Sequence, residues 1–199
     1  MDPGITNLFL NFLCNEHLVN GDLLNCGQRR VDPSASVVSS AVSIYFAPSD
    51  RTGITGYKRE LMRAAPTWRK KSPRHDTILV RMGLVPGPHG LSVAQLRLLF
   101  SFKISKICHS VALVEWFSYI GTSPDEDTGM WVVERETQDD GLPRMDFIFV
   151  NAILRSCHLL PIYGGEMVPS GISHVTCLED FRVFYVNKFA DHHSFELLS

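Results

Sequence analysis

The chain has no apolar run approaching the ~18 residues that a membrane-spanning helix requires, although 45% of its 199 residues are hydrophobic. It opens MDPGITNLFLNFL, with Asp2 where a secretory leader carries basic residues and an apolar stretch too short for a leader core. The expectation is a protein with no membrane association and no secretion. Cysteine is scarce and odd in number: Cys14, Cys26, Cys108, Cys157 and Cys177, widely spaced. That argues against a disulfide framework and for reduced thiols in an intracellular protein. There is no G-x-S-x-G elbow and no G-x-x-x-x-G-K-[ST] phosphate loop, so neither a hydrolase nucleophile of that type nor a phosphate cradle is indicated. Internal repeats and low-complexity tracts are also lacking.

Several residue groups invite a chemical reading and fall short of it. Cys14-x2-His17 followed by Cys26 starts a zinc-like set but lacks a fourth ligand at proper spacing. Asp125, Glu126 and Asp127 adjoin one another in one hairpin loop, whereas a two-metal site needs carboxylates converging from separate elements. Neighbours on a strand alternate faces, and no EF-hand glycine or closing glutamate falls in place. Cys157-His158 fails as a nucleophile–base pair on the same ground, because neighbouring side chains diverge. His192-His193 read as solvent-exposed residues near the C-terminus. The expectation is a non-enzyme, with no catalytic residues, no metal, no cofactor and no small-molecule substrate.

Charge is the first positive feature. Residues 1–110 hold 14 Lys/Arg against 7 Asp/Glu, whereas residues 111–199 hold 5 against 14, behind an overall charge of −2. Either the halves face different partners or they attract each other. The basic excess concentrates in Lys58, Arg59, Arg63, Arg69, Lys70, Lys71, Arg74 and Arg81, opposed by Glu60 and Asp76 alone. Lys and Arg neutralise phosphates and release counterions, and Trp68 beside Arg69 is placed to stack on a base. Lys58, Arg59, Arg63, Trp68, Arg69, Lys70, Lys71 and Arg74 are therefore the candidate nucleic-acid-binding residues, with a solvated face or docking onto the acidic half as the plain alternatives.

The hydrophobic pattern is mainly β with some α. ITNLFLNFLCNEHLV, with Leu8, Phe9, Phe12, Leu13 and Leu18, predicts an amphipathic helix. VVSSAVSIYFAP suits helix or strand. YKRELMRAA has helical propensity and is predicted as a helix stopped by Pro66. VAQLRLLFSFKIS, HSVALVEWFSYIG, GMWVVERE and FIFV predict strands; NAILRSCHLLPI suits a bulged strand or a short helical turn; FRVFYVNKF a last strand or helix. Short strands with turns between them predict a small barrel or sandwich. The organisation expected is a poorly defined segment 1–46, a basic loop–helix linker 47–75 and a β-barrel-like domain 76–199. Trp116, Tyr119 and Trp131, at the arms of the hairpin ALVEWFSYIGTSPDEDTGMWVVERE, are candidate partner-binding aromatics, since a ring cage attracts a methylated ammonium; strand aromatics more commonly pack a core.

From about Ala47 to the end the chain resembles the C-terminal part of transposon-encoded proteins abundant in mushroom-forming fungi, of the Plavaka and Kyakuja-Dileera-Zisupton kind related to CACTA elements. The ordered blocks are APSDRTGITGYKRELMRAAPTWR, RHDTILV, ALVEWFSYIGTSPDEDTGMWVVE, ILRSCHLLPIYG and FYVNKFADHHSFEL. The resemblance implies a small barrel of the SH3, Tudor or bromo-adjacent-homology type behind a helical, basic N-terminal extension. It further implies a nuclear accessory domain whose partners are DNA or chromatin proteins. In that family the catalytic core lies upstream, and this chain is expected to lack it. A fragment of a metal-dependent DNA-processing transposase and a decayed product without function are the other outcomes the resemblance leaves open.

Overall fold

Two strands of 14 residues, β6 (Leu91–Ile104) and β7 (Ile107–Ile120), form the spine of the molecule in a computed structural model. The structure describes residues 3–19, 35–49, 55–69, 72–83, 88–104, 107–165, 167, 171–173 and 176–199. Both strands are too long and twisted to keep one set of neighbours. The first half of β6 pairs with β5 (Thr77–Arg81) and its far half with β1 (Ser36–Val38). The near half of β7 pairs with β9 (Met145–Phe149) and its far half with β8 (Trp131–Arg135). The β6–β7 register shifts between Leu96 and Leu98, which makes Arg97 the extra residue of a bulge. A one-residue shift exchanges the two faces. Val93 and Gln95 thus share a face of β6 with Phe100 and Phe102 beyond the bulge, on the side where β7 places its odd-numbered residues.

The sheet is a curled, antiparallel, barrel-like structure. Its path runs β10 (Ile153–Ser156), β5, β6, β7, β8, β12 (Val183–Val186), β11 (Leu159–Pro161). The two ends, β10 and β11, are consecutive in the chain. Between them Cys157 donates its N–H to the Thr77 carbonyl at 2.9 Å, and the His158 carbonyl accepts from the Asn187 N–H at 2.9 Å. One extended segment, 153–161, therefore bonds to β5 with its first half and to β12 with its second, and the ladder returns on itself. Inside lie Leu79, Val93, Phe117, Val133, Phe184 and Val186, with Leu198 from the C-terminal helix α3 (His192–Leu198).

Two further layers cover the outside. A hairpin of β2 (Ser40–Phe46) and β3 (Tyr57–Ala65), with the short β4 (Arg74–His75), buries Met62 and Ala64 against Ile78, Ala94, Leu96, Val114 and Trp116. Where β6 ends and β7 begins, helix α1 (Pro3–Val19) packs Phe9 against the rings of Phe100, Phe102 and Phe147 at 5.1–5.5 Å between centroids. Edge-to-face rings at such spacing add to the gain from burial alone.

YKRELMRAA is corrected by the structure: it is strand β3. Its burial alternates, with Tyr57, Arg59 and Leu61 outward and Met62 and Ala64 inward. Its residues favour helices in isolation, but the β2 partner and the apolar surface beneath reward period 2, and packing outweighs a propensity of a few tenths of a kcal/mol per residue. Residues 57–65 are thus a core strand. For NAILRSCHLLPI, expected as a bulged strand or a short helical turn, a 3-10 turn at Val150–Ala152 leads into strand β10, whose register on β5 shifts between Ile153 and Arg155. No helix among the described residues is long and apolar enough to cross a membrane.

Candidate nucleic-acid interface

The basic segment divides by strand parity. On β3 the outward side chains include Arg59 and Arg63, four residues and about 13 Å apart along the strand. Lys58 falls on the inner side with Glu60 and Met62, near His193. After β3 the chain turns, and β4 brings Arg74 back opposite Ala65. The turn is closed by the Trp68 N–H donating to the Ser72 carbonyl at 3.0 Å. Three guanidiniums converge on the Trp68 ring: Arg63 at 4.3 Å from the centroid, Arg74 at 5.5 Å and Arg69 at 5.7 Å. Lys70 and Lys71 lie outside the described residues.

Among the described residues one carboxylate serves this corner. Asp76 accepts from the Arg63 backbone N–H at 2.9 Å and from Arg74 Nε at 2.7 Å. Its own N–H donates to the Arg63 carbonyl. The Nε of Arg63 is buried and has no acceptor among the described residues. Arg69 is exposed and sits at φ 51°, in the left-handed region that a side chain normally avoids. Among the described residues the corner therefore holds three cations around one indole, with Asp76 as the carboxylate bonded to it.

Two other arginine clusters differ from it. Glu115, 1% exposed at its side chain, is gripped by Arg97 from the bulge at 2.5 Å and by Arg135. Arg135 also donates to the Leu178 carbonyl at 2.7 Å, fixing the short helix α2 (Cys177–Asp180), and Gln95 stands beside it. Arg155, equally buried, binds both oxygens of Asp191 at 2.9 and 2.6 Å, donates to the Ser156 carbonyl, and lies under the Tyr45 ring. His193 stacks on Tyr45 at 4.7 Å with Nδ1 3.2 Å from Arg155. The Arg155 guanidinium and the Ser194 N–H hold the Asp191 carboxyl well below the usual carboxylate range, while burial and then Arg155 lower His193. Glu60 meanwhile accepts from the Ser156 hydroxyl at 2.6 Å and N–H at 3.0 Å.

His193 is a correction: expected in solvent, it is 7% exposed. The readable signal for the buried clusters was a lone charge inside an apolar run, Glu115 in VALVEWF and Arg155 in AILRSCHLL. Such a charge must be paired when the strand is buried.

The structure does not bring the three candidate cage aromatics together. Trp116 faces the hairpin layer and donates Nε1 to Asp146 at 2.8 Å. Tyr119, three residues on along β7, faces the barrel interior, where it meets Trp131 edge-on at 5.4 Å. Burial, with Cys157 nearby, pushes the Tyr119 hydroxyl up, and burial pushes the Cys157 thiol up to about 12. Asp125 accepts from the N–H and hydroxyl of Thr128, closing the loop between β7 and β8. Among the described residues no three metal-capable side chains converge.

Comparison with protein-family models, with curated proteins and with solved structures finds no match for this chain.

Proposed function

We propose that the chain is a non-catalytic interaction module that contacts nucleic-acid phosphates through the Trp68 corner. Its barrel is of the SH3, Tudor or bromo-adjacent-homology kind and its context a nuclear, transposon-derived protein, on the ordered blocks described above. The observation that carries the proposal is the surplus, among the described residues, of guanidiniums around Trp68 over their one carboxylate. Arg accepts such placement readily, because its weakly hydrated planar head stacks on an indole and still presents donors at its edge. A phosphate supplies the missing acceptors. The left-handed Arg69 fits the same reading, since backbone strain at an exposed site persists where the side chain is used. Arg59, exposed on the same strand as Arg63, extends the cationic track.

The test is fluorescence anisotropy with a labelled DNA duplex and a labelled single strand across a salt series. Binding should weaken steeply with salt, and the variant Arg59→Ala/Arg69→Ala/Arg74→Ala should flatten the log–log slope by about 0.9 for each duplex phosphate that is no longer neutralised. Trp68→Ala should weaken the single strand more than the duplex, because only unpaired bases offer a stacking face. An absence of salt-dependent affinity at low ionic strength, or a triple variant that binds as wild type does, sinks the proposal.

A further inference from the structure

The opposite edge of the same hairpin carries a further feature, which shares only Arg59 with the cationic track. Among the described residues β2, SAVSIYF, pairs with β3 alone. The Ala47 N–H donates to the Gly56 carbonyl at 2.7 Å and the Ala64 N–H to the Ser39 carbonyl at 3.0 Å. Odd-numbered residues of β2 are therefore the hydrogen-bonded ones, and Val42, Ile44 and Phe46 aim their N–H and C=O groups away from β3. Among the described residues those groups meet no backbone partner. The side chains of the same residues are 39, 67 and 56% exposed. Natural sheets blunt an open edge with charge, proline or a bulge, and β2 has none of these within its span.

We propose that the β2 edge takes up an extended segment of a partner protein, in which apolar and acidic residues alternate, as an added strand. The backbone row supplies the hydrogen bonds and the alternating side chains the selectivity. The acidic requirement comes from β3. Arg59 stands opposite Ile44 as a cross-strand neighbour and is exposed on the same outer face, where a cation favours an acidic residue on an added strand. Glu60, the one carboxylate of β3, is turned inward to Ser156. The outer face of the two strands thus offers an apolar surface of Val42, Ile44, Phe46, Tyr57 and Leu61 with cations and no anion. A second copy of the chain suits the edge less well, because SAVSIYF brings no charge to meet Arg59.

The probe is a short fluorescein-labelled peptide alternating glutamate with valine, set against one alternating lysine with valine. The glutamate peptide should bind saturably and the lysine peptide far more weakly. Ile44→Pro removes one outward N–H from the solvent side of an edge strand, a place that tolerates proline, and should weaken binding about tenfold. Arg59→Glu should invert the preference between the peptides, and it decides the matter if the proline variant does not fold. Arg69→Ala should leave peptide binding unchanged, separating this edge from the Trp68 corner. Equal binding of both peptides, or binding indifferent to Ile44→Pro and Arg59→Glu, overturns the proposal. A dimer in light scattering that Ile44→Pro dissolves also overturns it and gives the edge to a second copy.

Discussion

Arg155 and Arg63 are both arginines laid against an aromatic ring, and their surroundings differ in one respect. Arg155 has its donors taken up by both Asp191 oxygens and the Ser156 carbonyl, with His193 Nδ1 beside them, all within a closed layer. Arg63 lies on Trp68 with a buried Nε that has no acceptor among the described residues, and Asp76, which accepts from its backbone N–H, is taken up by Arg74. A satisfied, buried guanidinium acts as a clasp: it ties α3 to β10, and through Tyr45 to the hairpin. At the Trp68 corner the exposed neighbours Arg69 and Arg74 are the guanidiniums an external anion can reach. On the proposed reading the same kind of side chain serves the fold in one place and recognition in the other, and the number of acceptors within reach separates the roles.

The largest effect should come from breaking the clasp. Arg155→Met leaves the Asp191 carboxylate partly buried without its cation, and stability should fall by about 3 kcal/mol in urea unfolding, as for other broken buried pairs. Asp191→Asn added to it should recover part of the loss, since an amide needs no cation and still accepts the Ser194 N–H that caps α3. Arg63→Met should cost less than about 1 kcal/mol, because the apolar stem still covers Trp68. Equal losses at the two sites would erase the distinction.

A pH series tests the clasp without altering its charges by mutation. His193 titrates below its ordinary value in the folded chain. Below about pH 6.5 the unfolded chain takes up a proton that the folded chain resists. Stability should therefore fall as pH drops from about 7 toward 5, and His193→Gln should make that fall shallower. A share should survive the substitution, because burial and Arg97 also depress His75. Asp191 acts lower: its stability contribution is complete above the usual carboxylate range and is lost as pH falls below it. Melting temperatures across the series should show two separate declines, and Arg155→Met should abolish most of the lower one. A wild type whose melting temperature is flat between pH 7 and 5 would show that His193 is not held neutral.

The spine was legible because VAQLRLLFSFKI and VALVEWFSYI are rich in apolar residues with β propensity over a length no short helix explains. Helix α1 was legible from Leu8, Phe9, Phe12 and Leu13 on one face. β3 was not, because Lys, Arg, Glu, Leu, Met and Ala are helix formers, and only the packing of Met62 and Ala64 onto the sheet selects the strand. The closure of the ring was hidden too: nothing local marks Cys157 and His158 as the point where one segment exchanges partners. Of the candidate site, the density of Lys and Arg around Trp68 could be read directly. That Arg63 and Arg74 share one indole with Arg69 depends on the pairing of Ala65 with Arg74, which is a property of the fold.

The smallest effect on stability should fall on Arg69, and it is the sharpest separation of the two roles. Its φ of 51° is a conformation in which glycine carries no Cβ penalty. Arg69→Gly relieves that strain but gives the unfolded chain more freedom. The two terms oppose each other, so unfolding free energy should change by no more than about 0.5 kcal/mol in either direction. DNA affinity at low salt should nevertheless fall, because the exposed guanidinium is gone while Trp68, Arg63 and Arg74 remain in place. A clasp residue cannot behave in this way: at Arg155 a loss of function would follow a loss of fold. If Arg69→Gly instead unfolds the chain, or leaves both stability and DNA binding untouched, the Trp68 corner is either part of the framework or a solvated surface, and the contrast with Arg155 is lost.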